Sequence, residues 1–258
     1  MDLVIRNARL AERSSVELSD IGVSNGRIVA IEREIAAEAE IYNAEGRLAC
    51  PGLIESHIHL DKSRIMERYA PQERARLNPI EGVAPLKKSM TIEDIHDRAK
   101  RTLEQCILHG TTRMRTQVEV DPGIGMRGFD AVTSLIDEYK WAIDIEICVF
   151  PQEGLTNYPG TDELLVEGLK QGAKVVGGAP RYDTDPSGQI ERIFALACEF
   201  DVDIDTSRRW QHARWHAHRP RSTPHPEIQA RWPRCCRPYG QTLAFAAGSS
   251  GGARARSG

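Results

Sequence analysis

Between residues 51 and 205 strand-like and helix-like stretches take turns, and this alternation limits the fold more than any other feature of the chain. CPGLIESHIH begins as an apolar strand punctuated by Pro51-Gly52 and ends polar and His-rich. TIEDIHDRAKRTLEQCILHG then places Ile92, Ile95, Ala99, Leu103, Cys106 and Ile107 at helical spacing, with Thr91 as N-cap and Gly110 as C-cap. TTRMRTQVEV, IDIEICVF, KVVGG and DVDID read as further strands, separated by the helical patterns FDAVTSLIDEYKWA, DELLVEGLKQG and QIERIFALACEF. Repeated β/α units with mostly apolar strands predict an α/β fold, a parallel sheet with helices outside it, either an open doubly wound sheet or a barrel. About five strands can be counted, where a closed (β/α)8 barrel has eight.

Residues 1–50 follow a different pattern, short strands and turns, with Asn25-Gly26 between alternating apolar runs as a hairpin signal. They form a small N-terminal β module. The 258 residues are 28% charged and contain no run of about 18 apolar residues, which argues against a membrane span. The opening MDLVIRNARL lacks the basic and apolar regions of a signal peptide, so the expected compartment is the cytoplasm. Cys50, Cys106, Cys148, Cys198, Cys235 and Cys236 have no C-x-x-C spacing and sit mostly in apolar runs, which predicts buried free thiols.

His57 and His59 lie two apart on one strand, so both imidazoles project to the same side, with Cα atoms roughly 6–7 Å apart. Neutral imidazoles so placed suit one divalent ion, zinc or iron, although an H-x-H pair alone serves equally as a structural or exposed feature. Their place at the C-terminal end of the first barrel strand favours a site, because barrel enzymes build theirs on that face.

CPGLIESHIHLDKS resembles the P-G-[LF]-[IV]-[DE]-x-H-x-H-x-D signature of the amidohydrolase superfamily. LHGTTRMRTQVEVD, VFPQEG and FDVDID further resemble its cytosine deaminase branch, which includes isocytosine deaminases and N-isopropylammelide hydrolases. The resemblance implies a (β/α)8 TIM-type barrel, present in part, one divalent metal held by His57 and His59, and a pyrimidine or triazine ring contacted by Gln152. The bland alternative for Gln152 is a loop amide capping its own backbone. The implied activity is hydrolysis of cyclic C–N bonds, foremost deamination of cytosine, with an N-isopropylammelide-type hydrolase as the alternative. Intact relatives allow a homo-oligomer. Relatives often carry R-T-H-V-D where this chain has Arg115-Thr116-Gln117-Val118-Glu119, a departure that bears on substrate choice. Lys62 sits where no bridging carboxylated lysine belongs and is expected to pair with a carboxylate.

The resemblance breaks at Thr206. Relatives continue DVDID with L-H-V-D, whose histidine is the third metal ligand; here Thr206-Ser207-Arg208-Arg209-Trp210 follows. The later family residues, a glutamate, a further histidine and an aspartate, have no counterparts, so no catalytic residue is assigned. Residues 206–258 hold ten Arg and one acid, Glu227, a charge of +9 against -12 for residues 1–205. A frameshift accounts for this. ARWHAHRP, encoded GCC CGA TGG CAT GCA CAT CGA CCN, reads P-D-G-M-H-I-D one base later, and RWPRCCRPYG similarly yields A-G-R-V-A-V-G-H-M, both family-like. The wobble bases are chosen, but the fixed bases of Trp, His, Cys and Tyr restrict the choice.

The predicted organisation is therefore a β module over 1–50, the first half of a hydrolase barrel over 51–205 and an out-of-frame tail over 206–258. Two other readings of the tail are weaker. Its arginines could contact nucleic acid, a partner not expected here, and His212, His216 or His218 could replace missing ligands, although no strand fixes them. Five strands of eight leave open edges, and the β module lacks the C-terminal strands that complete it in relatives, which predicts aggregation or poor expression. Resequencing the coding DNA around codons 205–212 should restore L-H-V-D in register; a read that keeps the arginine-rich frame would refute the frameshift.

Overall fold

The computed structural model describes residues 1–11, 17–36, 38–74 and 82–206. The tail, residues 207–258, with Cys235, Cys236, His212, His216 and His218, lies outside the described residues.

The N-terminal module is a five-stranded sheet of β1 (Leu3–Leu10), β2 (Ser19–Ser24), β3 (Arg27–Glu32), β4 (Glu40–Asn43) and β5 (Leu48–Ala49), in the order β3-β2-β1-β4, with β5 also paired to β1. Asn25 and Gly26, at φ 51° and 70°, make the two-residue turn between β2 and β3, as a hairpin with two left-handed residues requires. Ala8, Ile21 and Ala44 form a small core on one side. Ile28, Val29, Ile41, Tyr42 and Leu48 are exposed, so much of the module's apolar surface faces water among the described residues.

The second sheet is parallel throughout. Its strands are β6 (Leu53–Ile58), β7 (Thr111–Glu119), β8 (Asp144–Phe150), β9 (Val175–Gly178) and β10 (Asp203–Thr206), in the order β10-β9-β8-β7-β6. Four helices connect them: α1 (Ile92–Leu108), α2 (Arg127–Tyr139), α3 (Thr161–Lys170) and α4 (Pro186–Phe200). The sheet curls as part of a (β/α)8 barrel, with five strands and four connecting helices among the described residues. Thr91 caps α1 by accepting from the Asp94 N–H, as its sequence predicts. The C-cap is His109; Gly110 follows it at φ 89°, the left-handed residue that ends the helix.

Side chains alternate along each strand, and one set is apolar. Met114, Val118, Ile147, Val149 and Val176 pack with Leu103, Leu135, Leu165, Ile193 and Leu196 of the helices in one continuous core. Each fully buried Leu or Ile contributes about 1.5–3 kcal/mol. The alternate set is more polar: Arg115 pairs with Glu146 at 2.5 Å and approaches Asp203 and Asp205 at 3.7 Å, and Gln117 donates to Asp205 at 3.0 Å, beside Cys148 and Phe150. A closed barrel fills this space with branched apolar side chains; here water-compatible ion pairs occupy it.

The thiols correct one expectation. Cys50, Cys106, Cys148 and Cys198 are free, but only Cys148 is buried, while Cys50 and Cys198 are exposed. An apolar neighbourhood in sequence put Cys198 on the solvent side of α4 rather than inside.

Gly177 of β9 marks the tightest point of the polar face. A Cβ there would stand 2.8 Å from Cys148 Sγ, 2.9 Å from Phe150 Cβ and 3.0 Å from the Asp205 carbonyl oxygen. Gly177→Val is therefore expected to destabilise the chain by about 1–3 kcal/mol, the usual range for overpacking, read as a lowered urea midpoint. A midpoint equal to wild type would show that β8 and β10 yield freely.

Candidate active site

The strand ends converge on a cavity of about 250 Å³, walled by Ile65, Met66 and Val83 and carrying the polar side chains of His59, Lys62, Lys87, Glu119, Gln152 and Glu153. His59 follows β6, Glu119 ends β7, and Gln152 and Glu153 lie just past β8. All come from the C-terminal side of the sheet, where the fold leaves backbone turns free to vary.

Two anchors hold the His59 turn. The Leu60 N–H donates to Thr116 Oγ1 at 3.1 Å, and Arg98 of α1 donates to the carbonyls of Asp61 and Ser63 at 3.2 and 2.7 Å. Asp61, itself buried, accepts the Glu119 N–H at 3.0 Å and so ties the turn to the end of β7.

The His57 and His59 rings lie 5.4 Å apart, edge to face. His57 is exposed and does not line the cavity, whereas His59 is half-buried and does. Burial, the largest influence, holds His59 below the ordinary imidazole value, against the pull of Asp61. Its Nδ1 is buried with no hydrogen-bond partner among the described residues. A neutral imidazole with a spare buried nitrogen suits metal ligation, so the pair fits two positions around a divalent ion. No group of three or more His, Cys, Asp or Glu able to hold a metal occurs among the described residues. A catalytic zinc takes three protein ligands; the described residues fall short of that set, and no hydrolytic step through an ion follows from them.

Lys62 pairs with Glu119 Oε2 at 2.5 Å, as expected from sequence, and lies 5.1 Å from the Phe150 ring centroid. Glu119 receives a second ammonium, Lys87, at 2.5 Å on Oε1. Lys87 also reaches Asp121 and Glu153, each at 2.7 Å. Burial raises the Glu119 carboxyl to about 6, with both lysines pulling the other way. For Lys87 burial opposes the charge, but the carboxylates outweigh it and raise the ammonium above the ordinary lysine value.

Sequence reasoning brought His57, His59 and Gln152 to this end of the sheet, and it singled out Glu119 only as a departure from a pattern. It missed Lys87, Asp121 and Glu153. Lys87 sits in the aperiodic APLKKS run, where nothing but a lysine pair hints at burial. Asp121 and Glu153 were readable only as polar residues after strands.

A second network shapes the Gln152 loop. Asp183, after β9, accepts the N–H groups of Leu155 and Thr156 at 2.7 and 3.0 Å and the Gln189 side-chain amide at 2.7 Å. Burial would raise this carboxyl, yet the hydrogen bonds from Thr156, Leu155 and Asp185 lower it to about 2.

No family model matches the chain. It is 33% identical over 212 residues to N-isopropylammelide isopropyl amidohydrolase of Pseudomonas sp. (strain ADP), covering 79% of this chain and 52% of that protein. Among solved structures, 5-methylcytosine deaminase from Klebsiella pneumoniae liganded with 5-fluorocytosine superposes with a TM-score of 0.70 at 32% identity, covering 79% of this chain and 50% of that one. N-isopropylammelide isopropylaminohydrolase from Burkholderia multivorans gives a TM-score of 0.71 at 29% identity, over 80% of this chain and 53% of that one. The chain thus spans about half the length of these relatives. The fold is a partial TIM-type barrel with its candidate site at the strand ends. By these likenesses the chain belongs to the amidohydrolase superfamily, with cytosine deaminases and N-isopropylammelide hydrolases as its neighbours.

An aspartate with a folded pKa of about 2, below the ~3.9 of an unfolded chain, adds stability above pH ~4 that is lost as pH falls toward 2. Thermal melting should decline across that window, and Asp183→Ala should both lower the melting temperature at neutral pH and flatten the decline. An unchanged slope in Asp183→Ala would assign the acid sensitivity elsewhere.

Proposed function

We propose that this chain carries the ring-binding half of a metal-dependent amidohydrolase acting on C–N bonds of cyclic amidines, and that it completes no turnover alone. The observation that carries this is the meeting of His59 and Gln152 on one cavity at the strand ends. Gln152 presents both an amide donor and an amide acceptor, the pair that a pyrimidine or triazine edge can match. His57 and His59 would hold one zinc or iron ion, and such an ion supplies a water acidified toward neutrality. This chain's own residues orient the ring through Gln152 and wall it with Ile65, Met66 and Val83.

Cytosine is the first candidate substrate, supported by the likeness to a deaminase structure with 5-fluorocytosine. A triazine bearing an alkylamino group is the second, favoured by 33% identity to the Pseudomonas N-isopropylammelide hydrolase. The missing turnover follows from a ligand set two histidines strong. Intact relatives that complete the set would also provide a closed barrel, and any oligomer belongs to that longer form. A cytoplasmic location accords with the lack of any membrane-spanning helix among the described residues.

Purified chain supplied with zinc or iron should release no ammonia from cytosine and no amine from N-isopropylammelide. It should still bind zinc weakly, as measured by equilibrium dialysis, and His57→Ala and His59→Ala should each abolish that binding. Robust turnover of either compound would overthrow the reading of an incomplete site; zinc binding that survives both substitutions would overthrow the ligand assignment.

A further inference from the structure

We propose that Lys87 is the positioning residue of this cavity, a tethered cation that fixes Gln152 and Glu119 by clamping carboxylates from two successive strand ends. The inference rests on the cavity being the ring site. An ammonium has three N–H donors, and those of Lys87 meet three different carboxylates: Glu119 at 2.5 Å, Asp121 at 2.7 Å and Glu153 at 2.7 Å. Glu119 and Asp121 belong to the end of β7 and the turn after it, whereas Glu153 adjoins Gln152 in the turn after β8. The lysine arrives from a third element, the short helical turn Ala84–Ser89 that precedes α1. Its own carbonyl accepts from Arg127 of α2 at 3.0 Å, and the same guanidinium donates to the Gly123 carbonyl at 2.9 Å. One side chain thereby joins the β6–α1 connection to both neighbouring strand ends.

The charge is what matters in this arrangement. Three carboxylates around one point repel each other and lose hydration on burial, so they need a cation at their centre. Among the described residues Lys87 is the one salt-bridge partner of Asp121 and of Glu153, while Lys62 reaches Glu119 alone. Lys87 is 3% exposed, so its charge is met by these carboxylates rather than by bulk water. Through Glu153 it sets the backbone that carries Gln152, and through Glu119 it sets the carboxylate that holds Lys62 against the cavity.

The test uses the full chain and two variants. Glu153→Gln cuts only the link to the Gln152 turn, at a side chain 29% exposed, and Lys87→Ala removes the whole clamp. Amide hydrogen exchange at Gln152, Glu153 and Gly154 reports the turn, and ¹⁹F NMR of added 5-fluorocytosine reports ring binding. Glu153→Gln should accelerate exchange at those amides roughly tenfold or more, the scale of one lost charge-assisted hydrogen bond, with exchange in β1–β4 and the melting temperature as in wild type. It should also weaken 5-fluorocytosine binding. Added methylammonium should slow the exchange again in Lys87→Ala, a rescue that loss of packing alone does not give. Unchanged exchange at the turn in Glu153→Gln, or exchange raised evenly across both sheets, would overturn the proposal. If wild-type chain takes up no 5-fluorocytosine while the exchange responds as described, the clamp stands and the ring-site reading falls.

Discussion

The apolar layer between the parallel sheet and its four helices is the constraint from which the rest follows. Val118, Val149 and Val176 must face Leu135, Leu165 and Ile193 for the sheet to be covered at all. Because side chains alternate along a strand, that commitment sends Gln117, Glu119, Cys148 and Phe150 to the opposite face. A one-residue slip of β7 would bury Glu119 among leucines and present Val118 to the cavity. The hydrophobic pattern that builds the core therefore also delivers the charged residues to the site.

At the mouth of the sheet the same geometry concentrates charge that burial makes costly. Glu119 is 1% exposed and Lys87 is 3% exposed, levels at which an unpaired ion is not tolerated. The two lysines and three carboxylates satisfy one another at 2.5–2.7 Å. Removing the central ammonium of such a cluster leaves its buried carboxylates uncompensated, which costs more than the pairing itself contributes. Rigidity at the cavity is thus a by-product of charge balance, and Asp183 extends it to the far side of the Gln152 loop.

The chain matches about half of its relatives' length, and its second sheet ends at β6 and β10 without closing among the described residues. Two physical features bear on how such a sheet meets water. Its helix-free face carries Arg115, Glu146, Asp203 and Asp205, charged side chains that tolerate water where a closed barrel is packed with branched apolar ones. The β6 edge is less well protected, since Leu53 and Ile54 are 55% and 70% exposed. Expected aggregation therefore has a specific locus in that edge and in the apolar face of the N-terminal module.

Much of this was legible in the residues. Period-two and period-3.6 patterns placed the strands and helices, Asn25-Gly26 marked its hairpin, Thr91 its cap, and CPGLIESHIHLDKS the histidine pair, because each of these signals is local in the chain. The burial of Cys198 was misjudged because a helix in an apolar run still has a solvent side. Lys87 was invisible for a related reason: its partners are 32, 34 and 66 positions away, and no local period reports a contact across three elements. What the sequence by itself determined is the order and type of the elements and the kind of chemistry stationed at the strand ends. Which charges meet there was decided only by the tertiary structure, since parallel strands bring their C-terminal turns together through packing at long range.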